Sequence, residues 1–296
     1  FNRPFSMGGA LDNLSQSFQL AQEMERYGLT ESEFNDILDV KNPYTKYWNQ
    51  LPVLGVMGVR TGVVDWVNDS EKNIHAPWGW NGFNNNFFSK ETGGISQYDF
   101  NVSFNIEDRV YLGATLGVYD VNYDRYTSYT ENLNDDNGAD NGGYTLDNYY
   151  RLEGTGMDLK LGVIIRPIES SPFRLGFAVH TPTWYDLRES YNAALSSNIL
   201  ACEAPYNQTL SDFLVTPEYD YLTYDYNLTT PWKFNISAGT TFAGAVAVGA
   251  EYEYQDYSSS KLKDVDGYEL GDQPSVENYL KGVHTCLLYT SPSPRD

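Results

Sequence analysis

Long runs of alternating apolar and polar residues dominate the chain after residue 96 and constrain its fold more than any other feature. In GMDLKLGVIIRPIESSPFRLGFAVH, residues 156–180, apolar side chains occupy every second position on both sides of a short polar turn. Successive side chains of a β-strand point to opposite faces, so the pattern predicts antiparallel strands with one apolar and one polar face. Two further hairpins repeat it. The predicted strands are 97–106, 109–129, 150–166, 173–193, 219–242 and 245–260.

The lengths of these runs and of their links favour a membrane barrel. The alternation continues well beyond the length of about 5–6 residues that is usual for strands in soluble proteins. The links between hairpins, at 130–150, 195–218 and 259–280, are long and rich in Asn, Asp, Gly, Ser and Tyr, whereas the turns within hairpins are short. This asymmetry is typical of bacterial outer-membrane barrels. The alternative, a soluble β-sandwich with one solvated face, fits shorter strands better.

The sequence therefore predicts an all-β fold. It is an antiparallel up-and-down transmembrane β-barrel, partial and not closed, with an α-helical and irregular extracellular segment near the N-terminus. The apolar face of each strand would meet lipid and the charged face would line the lumen. Three regions follow: residues 1–92 as a helical, aromatic-rich extracellular cap, 93–285 as barrel strands with long extracellular loops, and 286–296 as a non-native tail.

The composition and the motifs exclude several other classes. A net charge of −21 disfavours nucleic acid as a partner. There is no run of about 18 apolar residues that would predict a transmembrane helix. Two Cys residues without metal-ligand spacing indicate neither a disulfide framework nor a metal site. No G-x-S-x-G, H-E-x-x-H or phosphate-loop motif occurs, so we predict no enzyme, no catalytic residue and no cofactor.

Helices are predicted only near the N-terminus, over residues 11–40. Gly28 suits the end of a first amphipathic helix, and Thr30 with Glu33 has the spacing of a capping box that starts a second. The segment 41–92 is rich in Trp, Asn, Gly and Pro, and no regular structure is predicted for it.

The cap carries more aromatic side chains than a solvated loop needs, and we consider these a candidate capture site for an apolar solute. The alternative, of equal weight, is that the rings only pack the cap together. Lys160, on the charged face of a strand, is the candidate contact for a carboxylate. The candidate ligand-binding residues are Trp78, Trp80, Phe83, Phe87, Phe88 and Lys160.

The charged faces of the strands also predict ion pairs across the lumen. Pairing position 164 with Arg174 keeps Arg166 from facing Arg174 and places Asp158 opposite His180, with Lys160 on the diagonal. In the third hairpin the same reasoning places Lys233 opposite or diagonal to Glu253. The predicted lumen pairs therefore involve Asp158, His180, Lys233 and Glu253, and pairing with barrel acids is favoured over contact with a ligand.

The last residues break the pattern. CLLYTSPSPRD, residues 286–296, has adjacent leucines and two prolines, loses the alternation and resembles translated sequencing-adapter read-through. We expect this tail to be non-native and to form no strand, because proline cannot donate to a ladder. The chain would then be an internal fragment.

Residues 1–285 resemble the outer-membrane protein transport family of FadL/TodX type, in the Bacteroidetes form often labelled "hemin receptor". The motifs are GGISQYDFNVSFNIEDRVYLGATLGVYDVNYDR, GTGMDLKLGVIIRPIESSPFRLGFAVHTPTWYDL, and YNLTTPWKFNISAG followed by EYEYQDYS. The resemblance implies a barrel of about fourteen strands. It also implies an N-terminal hatch with an Asn-Pro-Ala motif. Neither the hatch nor the motif occurs here, in line with a fragment.

The resemblance implies an integral protein of the Gram-negative outer membrane that passes hydrophobic molecules such as long-chain fatty acids. Outer-membrane lipid and a hydrophobic small molecule would be its partners, and we expect a monomer. A surface adhesin or structural barrel that binds through its long loops is the alternative. A haemin receptor is another, although His75, His180 and His284 are not spaced as axial ligands. A barrel lipase would lack its nucleophile motif.

Overall fold

The computed structural model describes residues 2–9, 16–47, 50–66, 74–75, 84–134, 139–199, 210–213, 222–242 and 246–292. The chain divides into two compact units. Unit 1 comprises Phe1–Gly93, Tyr123–Arg151 and Glu189–Thr223, and unit 2 comprises Gly94–Asn122, Leu152–Arg188 and Tyr224–Asp296.

Strands make up most of the described chain. The helices are α1 (Gln16–Arg26), α2 (Glu31–Asp39), α3 (Pro43–Lys46), α4 (Val53–Arg60) and α5 (Gln273–Tyr279). The strands are β1 (Asn2–Gly9), β2 (Asp65–Trp66), β3 (Ile74–His75), β4 (Asn84–Ile106), β5 (Val110–Asn134), β6 (Asp140–Ile165), β7 (Arg174–His180), β8 (Trp184–Ser197), β9 (Leu210–Phe213), β10 (Leu222–Thr229), β11 (Lys233–Phe242), β12 (Val246–Asp256), β13 (Lys261–Asp264) and β14 (Gly282–Pro292).

The large sheet is antiparallel and up-and-down, as predicted. Its main path runs β1-β4-β5-β6-β7-β11-β12-β14, and β8, β9, β10 and β13 branch from it. Among the described residues β1 and β14, at the ends of this path, do not pair with each other, so the sheet is not closed. The coarse prediction of an all-β, antiparallel, unclosed fold is confirmed.

The strand boundaries differ from the sequence prediction in two ways. β4 starts at Asn84 instead of 97, and within the segment 130–150, expected as a loop, residues 130–134 end β5 and residues 140–150 start β6. The single strands expected at 173–193 and 219–242 are each interrupted, at 181–183 and 230–232. Pro182 and Pro231 lie in these interruptions, where the missing N–H of proline cannot join a ladder.

In unit 2 the apolar face of the sheet is exposed, and along β6, β7, β11 and β12 most of the charged face is buried or half-buried. On the apolar face Phe100 is 65% exposed and Ile236 is 52% exposed, whereas on the charged face Asp158 is only 5% exposed. Leu161 and Phe177 lie on the face opposite Asp158, as the alternation predicts. The exposed residues of the apolar face are Tyr98, Phe100, Val102, Phe104, Ile106, Leu112, Leu116, Met157, Leu159, Leu161, Phe177, Phe234, Ile236, Phe242, Val246 and Tyr252. In the described part of the chain, no helix is both long and apolar enough to cross a bilayer.

Unit 1 has a conventional buried core. The predicted capping box at the start of α2 is present: Glu33 N donates to Thr30 Oγ1 at 3.3 Å, and Thr30 N donates to Glu33 Oε2 at 2.9 Å. Gly28 follows α1 with a φ of 70°, which glycine adopts readily. The core residues are Leu20, Ala21, Met24, Leu29, Phe34, Ile37, Tyr44, Tyr47, Leu51, Val56, Met57, Val59, Val63, Val64, Tyr129, Leu133, Tyr144, Leu146, Ala193, Leu195 and Ile199.

Helix α4 lies within 41–92, where no regular structure was predicted. Its sequence VLGVMGVR is apolar on all sides and contains glycine and β-branched valine, which disfavour a helix intrinsically. Residues Gly55–Val59 are all buried in the unit 1 core. Tertiary burial, which periodicity cannot reveal, therefore determines this helix.

Buried polar groups tie the helices to the strand ends within unit 1. Tyr129 Oη donates to Glu131 Oε2 at 2.9 Å, and Tyr144 Oη donates to the same oxygen. Ser17 N in turn donates to Tyr144 Oη at 2.8 Å. Burial and the adjacent Glu131 carboxylate raise the pKa of Tyr144 well above its usual value, so the phenol keeps the proton that it donates. This network fixes α1 to β5 and β6.

The tail departs from its prediction. Residues 282–292 form β14, which pairs with β12 from Asp256↔Gly282 to Val246↔Pro292 and includes Leu287 to Tyr289. The expectation that residues from 286 onward form no strand is therefore wrong as far as Pro292; residues 293–296 lie outside the described part. The ladder forms because it needs only extended backbone and N–H donors, and Pro292 lies at its last pair. The structure therefore does not support the hypothesis that the tail is non-native, which predicted that no strand would form there.

Replacing Gly154 with alanine should destabilise the sheet of unit 2. A Cβ at this position of β6 would overlap the backbone carbonyl oxygen of Asp186, which cannot move aside as a side chain could. We expect the free energy of unfolding to fall by about 1–3 kcal/mol, the range for overpacking. The measurement is urea denaturation of the refolded chain. Gly113→Ala is the matched control, because a Cβ there meets nothing within 4 Å, and an equal loss in both variants would contradict the prediction.

Candidate functional site

The charged face of unit 2 brings three basic side chains into one row. Lys160 pairs with His180 across β6 and β7, and His180 pairs with Lys233 across β7 and β11. The predicted pair was Asp158 with His180, so the register differs by two residues while every side chain keeps its face. Arg166 explains the difference: β6 ends at Ile165, and the Arg166 guanidinium donates to the turn carbonyl of Glu169 at 2.8 Å. The like-charge contact that the prediction avoided therefore never arises.

Lys160 lies between two carboxylates. Its Nζ is 3.2 Å from Asp99 Oδ1 and 3.8 Å from Asp158 Oδ1. Asp158 also accepts from Tyr119 Oη at 2.7 Å and lies at 3.5 Å from Thr183 Oγ1. The ammonium group of Lys160, the candidate contact for a ligand carboxylate, is thus held by acids of the sheet itself.

A second cluster forms across β11 and β12. Lys233 is directly opposite Gln255 and diagonal to Glu253, with Nζ 3.2 Å from Glu253 Oε2. Asn235 Nδ2 donates to Glu253 Oε2 at 3.0 Å and to Glu251 Oε1 at 2.8 Å. One amide therefore bridges two carboxylates that follow each other on the same face of β12.

Arg174 is the third cation of this face. Its guanidinium carbon lies 5.7 Å from the centre of the Tyr111 ring, within the range of a cation–π contact. Lys160 and Lys233 thus lie beside acids, and Arg174 lies beside an aromatic ring.

Two cavities lie on the charged face. One of about 530 Å³ extends from Tyr111 and Gly162 to His180, Asn235 and Glu251. The other, of about 480 Å³, lies toward the short turns near Arg174 and Gly239. Both fall in the range of about 300–1,000 Å³ usual for small-molecule sites.

The candidate aromatic residues are only partly within the described chain. Trp78, Trp80 and Phe83 lie outside the described residues. Phe87 packs against the core of unit 1, and the Phe88 ring lies 6.0 Å from the Tyr126 ring, centre to centre. These two rings contact their own unit, as the packing alternative supposes.

Sequence reasoning missed three members of the site: Asp99, Tyr119 and Asn235. Each stands on the polar side of a predicted strand, but the partners lie on other strands at a register that alternation does not fix. A usable signal was present in the third hairpin, where an amide at 235 meets acids at 251 and 253 once the hairpin is aligned.

The described residues contain no group of three or more His, Cys, Asp or Glu side chains arranged to hold a metal ion. The charged face combines ion pairs between strands with the two cavities.

Comparison of the chain with protein-family models, with curated proteins and with solved structures finds no match. The likeness to the FadL/TodX type therefore rests on the quoted motifs alone and enters only the proposal that follows.

Proposed function

We propose that this protein is an integral outer-membrane β-barrel through which hydrophobic small molecules, such as long-chain fatty acids, enter the cell passively. One observation carries the proposal: along β6, β7 and β11 the apolar side chains of Phe177, Phe234 and Ile236 are exposed, whereas Asp158, His180 and Lys233 on the charged face are buried or half-buried. This is the order expected of strands between lipid and a polar lumen.

The free energy of exposing the apolar face to water favours contact of this face with lipid. Transfer of apolar surface out of water is favourable by about 25 cal/mol per Å². Soluble monomers rarely leave contiguous apolar patches above a few hundred Å² exposed. Phenylalanines at 100, 104, 177, 234 and 242 are all among the exposed residues of this sheet, and lipid tails would cover them without the cost that water imposes.

The charged face supports a path for the solute. Its lysines are neutralised by Asp99, Asp158 and Glu253, so no isolated charge faces the cavity from them. Small residues such as Gly162 and Gly176 line the 530 Å³ cavity and leave room beside the wall. Diffusion along such a wall needs no nucleotide, metal or redox chemistry.

Exposed side chains near β13 and α5 favour a second candidate, a surface adhesin. Tyr268 is 73% exposed and Tyr279 is 80% exposed. Exposed aromatic side chains are a common means of binding at a protein surface. The two functions differ in whether a solute crosses the membrane.

The test is uptake of labelled oleate by bacterial cells that lack their own fatty-acid channel and express the protein from its complete gene. Gly162→Trp should strongly reduce uptake, because a Cβ fits there with only ordinary contacts and the indole would fill the cavity. Leu161→Trp, on the exposed apolar face, is the matched control and should leave uptake unchanged. Uptake no higher than in empty-vector cells would exclude the channel and favour the adhesin.

A further inference from the structure

We infer that the 530 Å³ cavity on the charged face binds a cationic, hydrogen-bond-donating head group, of which a primary alkylammonium is the simplest, on an amphipathic solute. The inference rests on the proposed function and concerns which head group the cavity retains; a fatty acid would pass along this wall without being bound at it. It differs from the carboxylate contact that the sequence suggested for Lys160.

Asn235 supplies the first acceptor. Both of its acid neighbours are acceptors, so the NH₂ side of the amide must face Glu251 and Glu253, at 2.8 and 3.0 Å. The amide oxygen is thereby turned away, and in the described part of the chain it has no hydrogen-bond partner. This oxygen is buried, and because Asn235 lines the cavity, a donating ligand that enters beside it would satisfy the oxygen.

Glu251 supplies negative charge at the same place. It lines the cavity beside Asn235, and no lysine or arginine among the described residues forms a salt bridge with it. Glu253, by contrast, is held by Lys233. A carboxylate that is bound only by a neutral amide attracts an ammonium group and repels a second carboxylate.

His180 lines the same cavity and adds a further acceptor. Among the described residues its imidazole makes no hydrogen bond, and a neutral imidazole accepts at one ring nitrogen. Asn235, Glu251 and His180 thus each offer the cavity an acceptor, and these acceptors favour a ligand that donates hydrogen bonds.

The cations that could hold an anion are occupied. Lys160 is bound by Asp99 and Asp158, Lys233 is bound by Glu253, and Arg174 lies over Tyr111. A solute carboxylate would have to displace one of these partners and leave a charge of the wall uncompensated. The net charge of −21 on the whole chain adds a field that opposes anions and attracts cations.

The cavity also has an apolar side that suits an alkyl chain. Ile164 shares the charged face and lines the cavity with Gly162, Gly176 and Ala178, whereas the side chains of Val163 and Phe177 lie on the other face of the sheet. An alkylammonium could therefore place its head at the acceptors and its chain toward Ile164.

The experiment is calorimetric titration of the full chain, refolded in a nonionic maltoside detergent at neutral pH, with dodecylammonium and with dodecanoate. Titrations of micelles without protein are subtracted. We expect dodecylammonium to bind at least about tenfold more tightly than dodecanoate, the scale of one charge-assisted hydrogen bond. Glu251→Gln should weaken dodecylammonium about tenfold, whereas Glu169→Gln, which makes the same charge change in a turn outside the cavity, should leave it unchanged.

A second variant keeps the test decisive if Glu251→Gln fails to fold. Lys233→Gln releases Glu253 from its ion pair and should tighten dodecylammonium severalfold. Tighter binding of dodecanoate, or equal effects of Glu251→Gln and Glu169→Gln, would overturn the inference. Binding in micelles requires neither insertion into a membrane nor passage through it. A failure of this binding test can therefore be distinguished from a failure of oleate uptake in cells, which would overturn the proposed channel function.

Discussion

Phe100→Lys should prevent much of the chain from inserting into lipid bilayers. Phe100 lies near the middle of the described apolar band of β4 and is 65% exposed. If that face meets lipid, a lysine there should cost about 2–4 kcal/mol, the range measured for charges on the lipid face near the midplane of membrane barrels. The measurement is the folded, protease-protected fraction after refolding from urea into phosphatidylcholine vesicles, across a urea series.

Ser103→Lys is the matched control, because Ser103 lies on the other face of the same strand and lines the cavity of the charged face. A lysine on a polar face should change the insertion free energy little. In a soluble protein an exposed phenylalanine can be replaced by lysine with a change of about 0.5 kcal/mol or less in the free energy of unfolding. Equal insertion of Phe100→Lys and the unmodified chain would therefore contradict the membrane proposal.

The faces of the strands could be predicted from the sequence because the period of two is a property of extended backbone. Leu161 and Phe177 on one side and Asp158 and His180 on the other follow from counting residues alone. The register could not be predicted in this way, because it depends on where Arg166 leaves the strand, and a shift of two residues preserves every face. The alternation of apolar and polar residues therefore could not identify the residues that contact Lys160 from other strands.

Composition misled the prediction where burial dominates. The segment ENLNDDNGADNGG has the residues of a mobile loop, yet Leu133 within it is fully buried and Glu131 belongs to the polar network with Tyr144. Helix α4 was missed for the same reason, since an all-round apolar stretch has no face to recognise. In both cases the decisive contacts join residues distant in sequence.

Leu133→Ala should destabilise unit 1 by about 2–5 kcal/mol, the range for a buried leucine that leaves a cavity. Leu133 is 0% exposed and belongs to a core that also contains Met57, Leu146 and Leu195. The measurement is urea unfolding followed by hydrogen exchange in peptides from α4 and β5. Tyr27→Ala is the control within the same unit, because Tyr27 is 58% exposed and should change stability by no more than about 0.5 kcal/mol.

If Leu133 belonged to a solvated loop, as its neighbours Asn132 and Asn134 suggest, the two variants would behave alike. A clear difference between them would establish that the ends of β5 and β6 are part of a packed core instead of a loop available for binding, and would weaken the adhesin alternative at this segment.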